Sequence, residues 1–374
     1  METEISVLKG TASHLEIEDE SVDLIVTSPP YPMVEMWDTI FSNQEKQIPK
    51  CLSEGQGRKA FELMHEVLDK AWTESYRVLK PGGIACINIG DATRTLNGDF
   101  QLYSNHSRIL HSCLNLDFAS LPDILWRKPT NAPNKFMGSG MLPVGAYVTY
   151  EHEYILILRK GDRREFKAVK EKEIRRRSAF FWEERNVWFS DIWFDIRGTG
   201  QNLVEKATRQ RSAAFPFELA YRLICMFSIN GDVVLDPFVG TGTTLAASLA
   251  CGRSGIGIEI DNTLIPSICA LLQSMPSVAN AYNRERLVRH TQFVAKHTEE
   301  KGPLKHENIH YGFPVMTAQE KELIIPELES IRATETAHFI GSYFNTPQCD
   351  FLSTSEINEE INAECLPSRR LSRS

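Results

Sequence analysis

Val233-Val234-Leu235-Asp236-Pro237-Phe238-Val239-Gly240-Thr241-Gly242-Thr243-Thr244 reads as a short buried strand, a glycine-bearing turn and the start of a helix. An Ala-rich helix, Thr244 to Cys251, follows and is stopped by Gly252 in the position that favours a left-handed residue. A second strand, Ile256-Gly257-Ile258, ends at Glu259, 19 positions beyond Gly240. Strand, glycine loop, helix and strand form the unit of a doubly wound, mostly parallel α/β sheet, whose ligands bind beyond the strand C-termini. Glycine lets the backbone turn tightly and approach a ligand, and the helix N-terminus presents free N–H groups. An acid closing the next strand is placed to accept hydrogen bonds from ribose hydroxyls. The loop therefore predicts an adenosine-containing cofactor. Leu245 stands where a dinucleotide fingerprint has its third glycine, which weighs against NAD.

Outward from this unit the alternation continues. Phe215 to Phe227 is an amphipathic helix, and Ile5 to Leu8 reads as a strand. Val22-Asp23-Leu24-Ile25-Val26 is another strand, halted by Thr27-Ser28-Pro29-Pro30-Tyr31 because two prolines cannot continue a central strand. Phe61 to Leu79 has helical spacing (Leu63, Met64, Val67, Leu68, Ala71, Trp72), Pro81-Gly82-Gly83 ends it, and Ile84 to Ile89 is a further buried strand. Asp91 to Val204 differs: it holds Pro122, Pro129, Pro133, Pro143, a glycine-rich Met137 to Met141 and one clear strand, Tyr154 to Leu158. Residues 1–90 with 205–290 are thus expected to form the α/β domain, 91–204 an interposed region, and 291–374 a C-terminal extension. The stretch from Pro367 to Ser374 is expected to be disordered.

Hydrophobic residues make up 42% and charged residues 24% of the 374, ordinary for a globular enzyme. There is no apolar run of about 18 residues to span a membrane, and Met1 to Lys9 lacks the apolar core of a signal peptide. The eight cysteines form no C-x-x-C pair, so reduced thiols in a cytoplasmic protein are expected, with no metal ligands among them. A net charge of −8 opposes a nucleic-acid partner, but its distribution does not. Arg159 to Arg211 holds 15 Lys and Arg against 9 Asp and Glu, an excess of +6 that leaves −14 for the rest. A basic block on an acidic chain is the footprint of a polyanion reader or of a solvated face.

Ser28-Pro29-Pro30-Tyr31 is the sharper chemical feature. An exocyclic amine on cytosine or adenine is a poor nucleophile because its lone pair is delocalised into the ring. Fixed hydrogen-bond acceptors can hold that nitrogen pyramidal and aimed at an electrophile. The Ser28 hydroxyl and the Pro29 carbonyl supply two acceptors on a backbone that proline stiffens, and Tyr31 offers a ring for an extruded base. Both special loops follow strands of one parallel sheet and so belong on one rim.

Thr27-Ser28-Pro29-Pro30-Tyr31 with Asp236 to Thr244 resembles the amino-methylating DNA methyltransferases. The order, tetrad first and glycine loop second, resembles their circularly permuted β class. Arg77-Val78-Leu79-Lys80-Pro81-Gly82-Gly83, Glu153 to Leu158 and Ala214-Phe215-Pro216 add to the likeness, which spans residues 5–261. The resemblance implies an S-adenosylmethionine-dependent methyltransferase fold with an inserted target-recognition region at 91–204. It implies that Ser28, Pro29, Pro30 and Tyr31 hold the target base. Asp236, Phe238, Gly240, Gly242, Thr243 and Glu259 would then bind S-adenosyl-L-methionine. Serine at the head of the tetrad resembles the cytosine-N4 enzymes, with adenine N6 the alternative target. Such enzymes act on double-stranded DNA in restriction-modification systems, beside a cognate restriction endonuclease and close to the nucleoid. One departure stands out: Gly10-Thr11 replaces the Gly-Asp that often contacts the cofactor adenine.

Two rival signals remain. His306-Glu307-Asn308-Ile309-His310 matches the pattern of a zinc-dependent hydrolase, which needs both histidines on one helical face. Gly302-Pro303 before it and Gly312-Phe313-Pro314 after it leave little room for that helix. Arg175-Arg176-Arg177, beside Phe180, Phe181 and Trp182, is expected to meet DNA phosphate.

Overall fold

The computed structural model describes residues 1–128, 137–138, 141–196 and 215–347. Eleven strands form one sheet among these residues: β1 (Glu2–Lys9), β2 (Val22–Thr27), β3 (Leu79–Ile89), β4 (Phe118–Ser120), β5 (Ile124–Arg127), β6 (His152–Lys160), β7 (Ile192–Trp193), β8 (Val233–Asp236), β9 (Ser254–Glu259), β10 (Leu328–Glu335) and β11 (His338–Tyr343). Their order is β7-β5-β6-β3-β2-β8-β9-β1-β11-β10, with β4 also paired to β6. The five central strands, β3-β2-β8-β9-β1, are parallel. The flanks are largely antiparallel: β6 against β3, β4 and β5 on one side, β11 against β1 and β10 on the other.

Helices cover both faces, the doubly wound arrangement that the strand–helix alternation predicts. Helix α1 (Gly57–Val78) carries β2 to β3 and buries Met64, Leu68 and Trp72 against Ile25, Ala85, Ile87 and Leu235. The start of α2 (Asn105–Asn115) closes the same face near the tetrad. On the opposite face lie α5 (Phe217–Phe227), α6 (Thr243–Ala250) and α7 (Ile265–Lys301), which pack on Ile5, Val7, Leu24, Val26 and Val234. Two short helices, α3 (Val169–Arg177) and α4 (Trp182–Trp188), lie between β6 and β7 in the chain. The path runs outward from β2 to β3 in one direction and from β8 to β9 in the other. The strand order therefore reverses between β2 and β8, which opens a crevice at their C-terminal ends.

Four expectations from sequence change here. Helix α1 ends at Val78, and Leu79 already pairs with Val22. Pro81-Gly82-Gly83 then sits in a register shift of β3 rather than in a turn after the helix. Gly82 has φ +83°, and a Cβ there would come within 2.7 Å of the Arg164 backbone. The proposed division at 91 and 204 cuts across the sheet, because β4, β5, β6 and β7 all pair within it. The C-terminal extension expected from 291 contributes to the α/β unit: α7 runs 37 residues from Ile265, and β10 and β11 extend the sheet. The buried stripe of α7, Ile268, Leu272, Met275, Ala279, Asn283, Leu287, His290 and Val294, recurs at three- and four-residue spacing. The expected disordered tail, 367–374, lies outside the described residues.

Candidate active site

The crevice is bounded by the segments that leave β2 and β8, and one carboxylate ties them together. Asp236 ends β8 and is 2% exposed. Thr27 Oγ1 donates to its Oδ1 at 2.6 Å, Thr244 Oγ1 donates to its Oδ2 at 2.6 Å, and the Phe238 N–H donates at 3.1 Å. Burial raises this carboxyl from its ordinary value to about 6 against the pull of those three donors. Asp236 thus joins the end of β2, the glycine loop and the start of α6. With both oxygens engaged, it braces the loop that the cofactor reading rests on.

The two glycines also divide their work. Gly240 has φ +53°, and a Cβ there would meet only the Phe238 carbonyl oxygen, at 3.8 Å. Its outer side is open, as a backbone that cradles a ligand must be. Gly242, φ +87°, is buried, and a Cβ there would lie 2.8 Å from Ile268 Cγ2. Its purpose is to let α6 approach α7. Phe238 and Thr243 are half-buried on the rim, and the Phe238 ring meets Trp72 edge-on at 6.1 Å.

Glu259, 7% exposed, ends β9 beside the loop. Its Oε2 accepts the Gly240 N–H at 3.0 Å and its Oε1 accepts the Asp261 N–H at 2.8 Å. Each oxygen keeps lone-pair capacity for a ribose hydroxyl. Burial lifts its carboxyl above the usual range. The Gly10 N–H donates to the Glu259 carbonyl at 3.1 Å, which brings Gly10-Thr11 alongside. Thr11 Oγ1 lies 3.0 Å from Ser13 Oγ, so two hydroxyls stand at this point of the chain. An open glycine, a helix N-terminus and an acid with spare acceptors fit an adenosyl cofactor.

Ser28 and Tyr31 lie on the same rim, directly after β2. Ser28 Oγ donates to Tyr31 Oη at 3.2 Å, and Tyr31 Oη donates to Glu153 Oε2 at 2.9 Å. Asn88 Nδ2 donates to both Tyr31 Oη, 2.9 Å, and Glu153 Oε2, 2.7 Å. Lys128 Nζ donates to Glu153 Oε1 at 2.6 Å. Burial, with Glu153 beside it, pushes the Tyr31 hydroxyl well above its ordinary pKa and keeps it protonated. The ring packs over Gly90, where a Cβ would come within 3.0 Å of Tyr31 Cε2. Asn105, at the start of α2, donates to the Pro32 and Gly90 carbonyls at 3.1 and 3.0 Å and so holds the exit of the tetrad. His65 Nε2 lies 3.1 Å from Asn105 Oδ1, and burial lowers that imidazole to about 3, which leaves it neutral.

The structure therefore brings together Ser28, Pro29, Pro30, Tyr31, Phe238, Gly240, Thr243 and Glu259. It adds Asn88 and Lys128, and it gives partners to Thr27, Glu153 and Thr244, which the motifs contain without a stated role. Asn88 and Glu153 leave a trace in the sequence: each is a polar residue in or beside an apolar strand, Ile84 to Ile89 and Tyr154 to Leu158.

Arg175, Arg176 and Arg177 lie apart from these residues. Arg164 pairs with Asp23 and Asp232, at the N-terminal ends of β2 and β8, and α3 follows it. Just after α3, Ser178 Oγ accepts the Asn230 N–H at 2.9 Å, again at the start of β8. The triplet thus lies at the opposite rim, a strand length or roughly 20 Å from the tetrad. Arg176 pairs with Glu322 at 2.9 Å, Arg177 with Glu173 at 2.8 Å, and Arg175 stacks over Phe166. The zinc motif is also revised: His306–Glu307 is a two-residue strand. Asn308 Oδ1 then accepts the His310 and Tyr311 N–H groups in a turn, so the two histidines share no helical face. Among the described residues no cluster of three ligating side chains occurs. No helix among them is long and apolar enough to cross a membrane.

A doubly wound sheet with a tetrad and a glycine loop at one switch point, in permuted order, defines the S-adenosylmethionine-dependent amino-methyltransferases. The chain belongs to the DNA methylase family, whose model matches residues 22–269, and it is a site-specific DNA methyltransferase that uses S-adenosylmethionine. It is 49% identical over 316 residues to type II methyltransferase M.MthZI of Methanothermobacter thermautotrophicus, covering 84% of this chain and 88% of that one. With type II methyltransferase M.MjaI of Methanocaldococcus jannaschii it shares 49% over 278 residues, 71% of this chain and 90% of that one. Among solved structures, a DNA modification methylase of Thermus thermophilus in complex with S-adenosyl-L-methionine is similar. Its TM-score is 0.56 and its identity 30%, over 72% of this chain and 94% of that one.

Proposed function

We propose that the methyl acceptor is the exocyclic N4 of cytosine in double-stranded DNA. Ser28 at the head of the tetrad carries this reading, since the likeness to cytosine-N4 enzymes rests on that position. A duplex hides the amine in its stack, so the base is extruded at a cost of a few kcal/mol. Ser28 Oγ and the Pro29 carbonyl then accept the two amine N–H groups and pyramidalise the nitrogen. Phe238, Gly240, Thr243 and Glu259 hold S-adenosylmethionine, which supplies the sulfonium methyl when bound. Enzymatic digestion of DNA methylated by the purified protein, followed by mass identification, should yield N4-methylcytosine. N6-methyladenine as the sole product would overturn this reading in favour of the adenine alternative.

Target recognition is assigned to the parts of 91–204 that lie on the tetrad's rim. The hairpin Ala92–Leu96 and Asp99–Tyr103 leaves the C-terminal end of β3, and Phe100 stacks on Tyr147 at 4.8 Å. Met141, Val144 and Val148, in the segment that carries Tyr147, are strongly exposed. A cognate restriction endonuclease is the proposed partner, in keeping with the type II description of its relatives. DNA methylated by this enzyme should resist that nuclease.

A further inference from the structure

We propose that Glu153, acting through Tyr31, sets the polarity of the Ser28 hydroxyl so that its lone pairs, not its proton, face the target amine. The proposal rests on the amine-contact reading of Ser28 given above. A carboxylate only accepts, so Glu153 Oε2 must receive the one proton of the Tyr31 hydroxyl, 2.9 Å away. With its proton committed, Tyr31 Oη can only accept from its other two neighbours, Asn88 Nδ2 at 2.9 Å and Ser28 Oγ at 3.2 Å. The single Ser28 proton therefore points at Tyr31, and both lone pairs remain for the amine.

The far side of Glu153 fixes the same direction. Lys128 Nζ, three donors and no acceptor, holds Oε1 at 2.6 Å. Asn88 turns its Nδ2 to Tyr31 and Glu153, and its own Oδ1 is buried without a partner among the described residues. Turning that amide over would put Oδ1 against the carboxylate. Glu153 is 8% exposed and Asn88 2%, so bulk water does not compete for these bonds. Tyr31 thus has a duty beyond offering its ring to a base, and Glu153 and Asn88 are positioning residues.

The test is Tyr31→Phe, which keeps the ring and removes the hydroxyl, together with Glu153→Gln and Ser28→Ala. Single-turnover methylation of unmodified plasmid DNA with labelled S-adenosylmethionine gives the rate. Equilibrium dialysis gives cofactor affinity, filter binding gives DNA affinity, and thermal melts report folding. In Tyr31→Phe the Ser28 proton loses its fixed acceptor, and the rate should fall about 100-fold while both affinities stay within about threefold. In Glu153→Gln the amide must face Lys128 with its oxygen, which turns its NH2 towards Tyr31 and reverses the chain, so the rate should fall similarly. Adding Lys128→Met frees the amide to present its oxygen to Tyr31 and should recover about tenfold of that loss. A purely structural role for Glu153 predicts no such recovery, and its absence overturns the proposal. Tyr31→Phe within about threefold of the wild-type rate, with Ser28→Ala inactive, overturns it while sparing the amine contact. A fully active Ser28→Ala instead removes the amine-contact reading itself.

Discussion

Gly240 and Gly242 lie two residues apart, and substitutions at them should fail in different ways. Gly240→Asp places a carboxylate where the backbone opens onto the cofactor, at φ +53°. Equilibrium dialysis should show S-adenosylmethionine binding abolished, and unchanged affinity would mean the loop does not hold it. Gly242→Ala instead drives a methyl towards Ile268 Cγ2, 2.8 Å away, at φ +87°. That should cost about 1–3 kcal/mol of stability in a denaturant titration. Cofactor affinity of the folded fraction should be retained. The spacing G-x-G is visible in the sequence, but it cannot distinguish the two, because Ile268 lies 26 positions away and meets Gly242 only when α7 packs on α6. Glu153 has the same history: nothing near it in sequence foretells Tyr31, 122 positions earlier.

Among the elements, α3 and α7 are the ones whose placement changes the account. Arg175, Arg176 and Arg177 form a cationic turn at the wrong rim, where Glu322, Glu173 and Phe166 engage them. Replacing all three with Ala should leave DNA affinity and its salt dependence as in the wild type. A flattened salt slope would return the triplet to the DNA interface. Exposed pairs contribute about 1 kcal/mol or less, so the melt should move little. Helix α7 holds a costlier arrangement. Arg286 is 6% exposed and paired with Glu184 of α4, and its Nη1 donates to Tyr221 Oη of α5 at 2.8 Å. Arg286→Ala strands the Glu184 carboxylate and should destabilise the fold by about 3–5 kcal/mol, read by chemical denaturation. The apolar repeat of this helix is written in the sequence, whereas its buried Arg leaves no signal there, since Arg in a helix is ordinarily a surface residue.

At the scale of the whole molecule, Asp236 makes stability depend on pH. Its folded-state pKa of about 6 lies above the ordinary 3.8, so between those values the folded protein holds a proton that the unfolded chain has lost. Stability from this group is therefore full below about pH 4 and falls as pH rises towards 6, by about 3 kcal/mol in all. Asp236→Asn removes that titration. The difference in unfolding free energy between wild type and variant should drop across about pH 4–6 and stay level above it. A difference flat across that range would mean the carboxyl is not desolvated. The same buried acid ties Thr27 at the end of β2 to Thr244 at the start of α6.

The sequence by itself determined the parallel core, the two loops on one rim and the chemistry each loop supports. These are local properties: apolar runs set strands, prolines stop them, and glycines followed by a helix open a cradle within a dozen residues. Only the tertiary structure decided which residues complete the site and which merely resemble site residues. Glu153 meets Tyr31 and Asn88 because β6 pairs antiparallel with β3, and Lys128, just past β5, meets Glu153 because β5 pairs with β6; each register depends on both strands at once. Arg175 to Arg177 and His306 to His310 carry strong local signals, yet the chain delivers them to the far rim and to a turn. A motif states what a segment can do, and burial, register and strand direction decide what it meets.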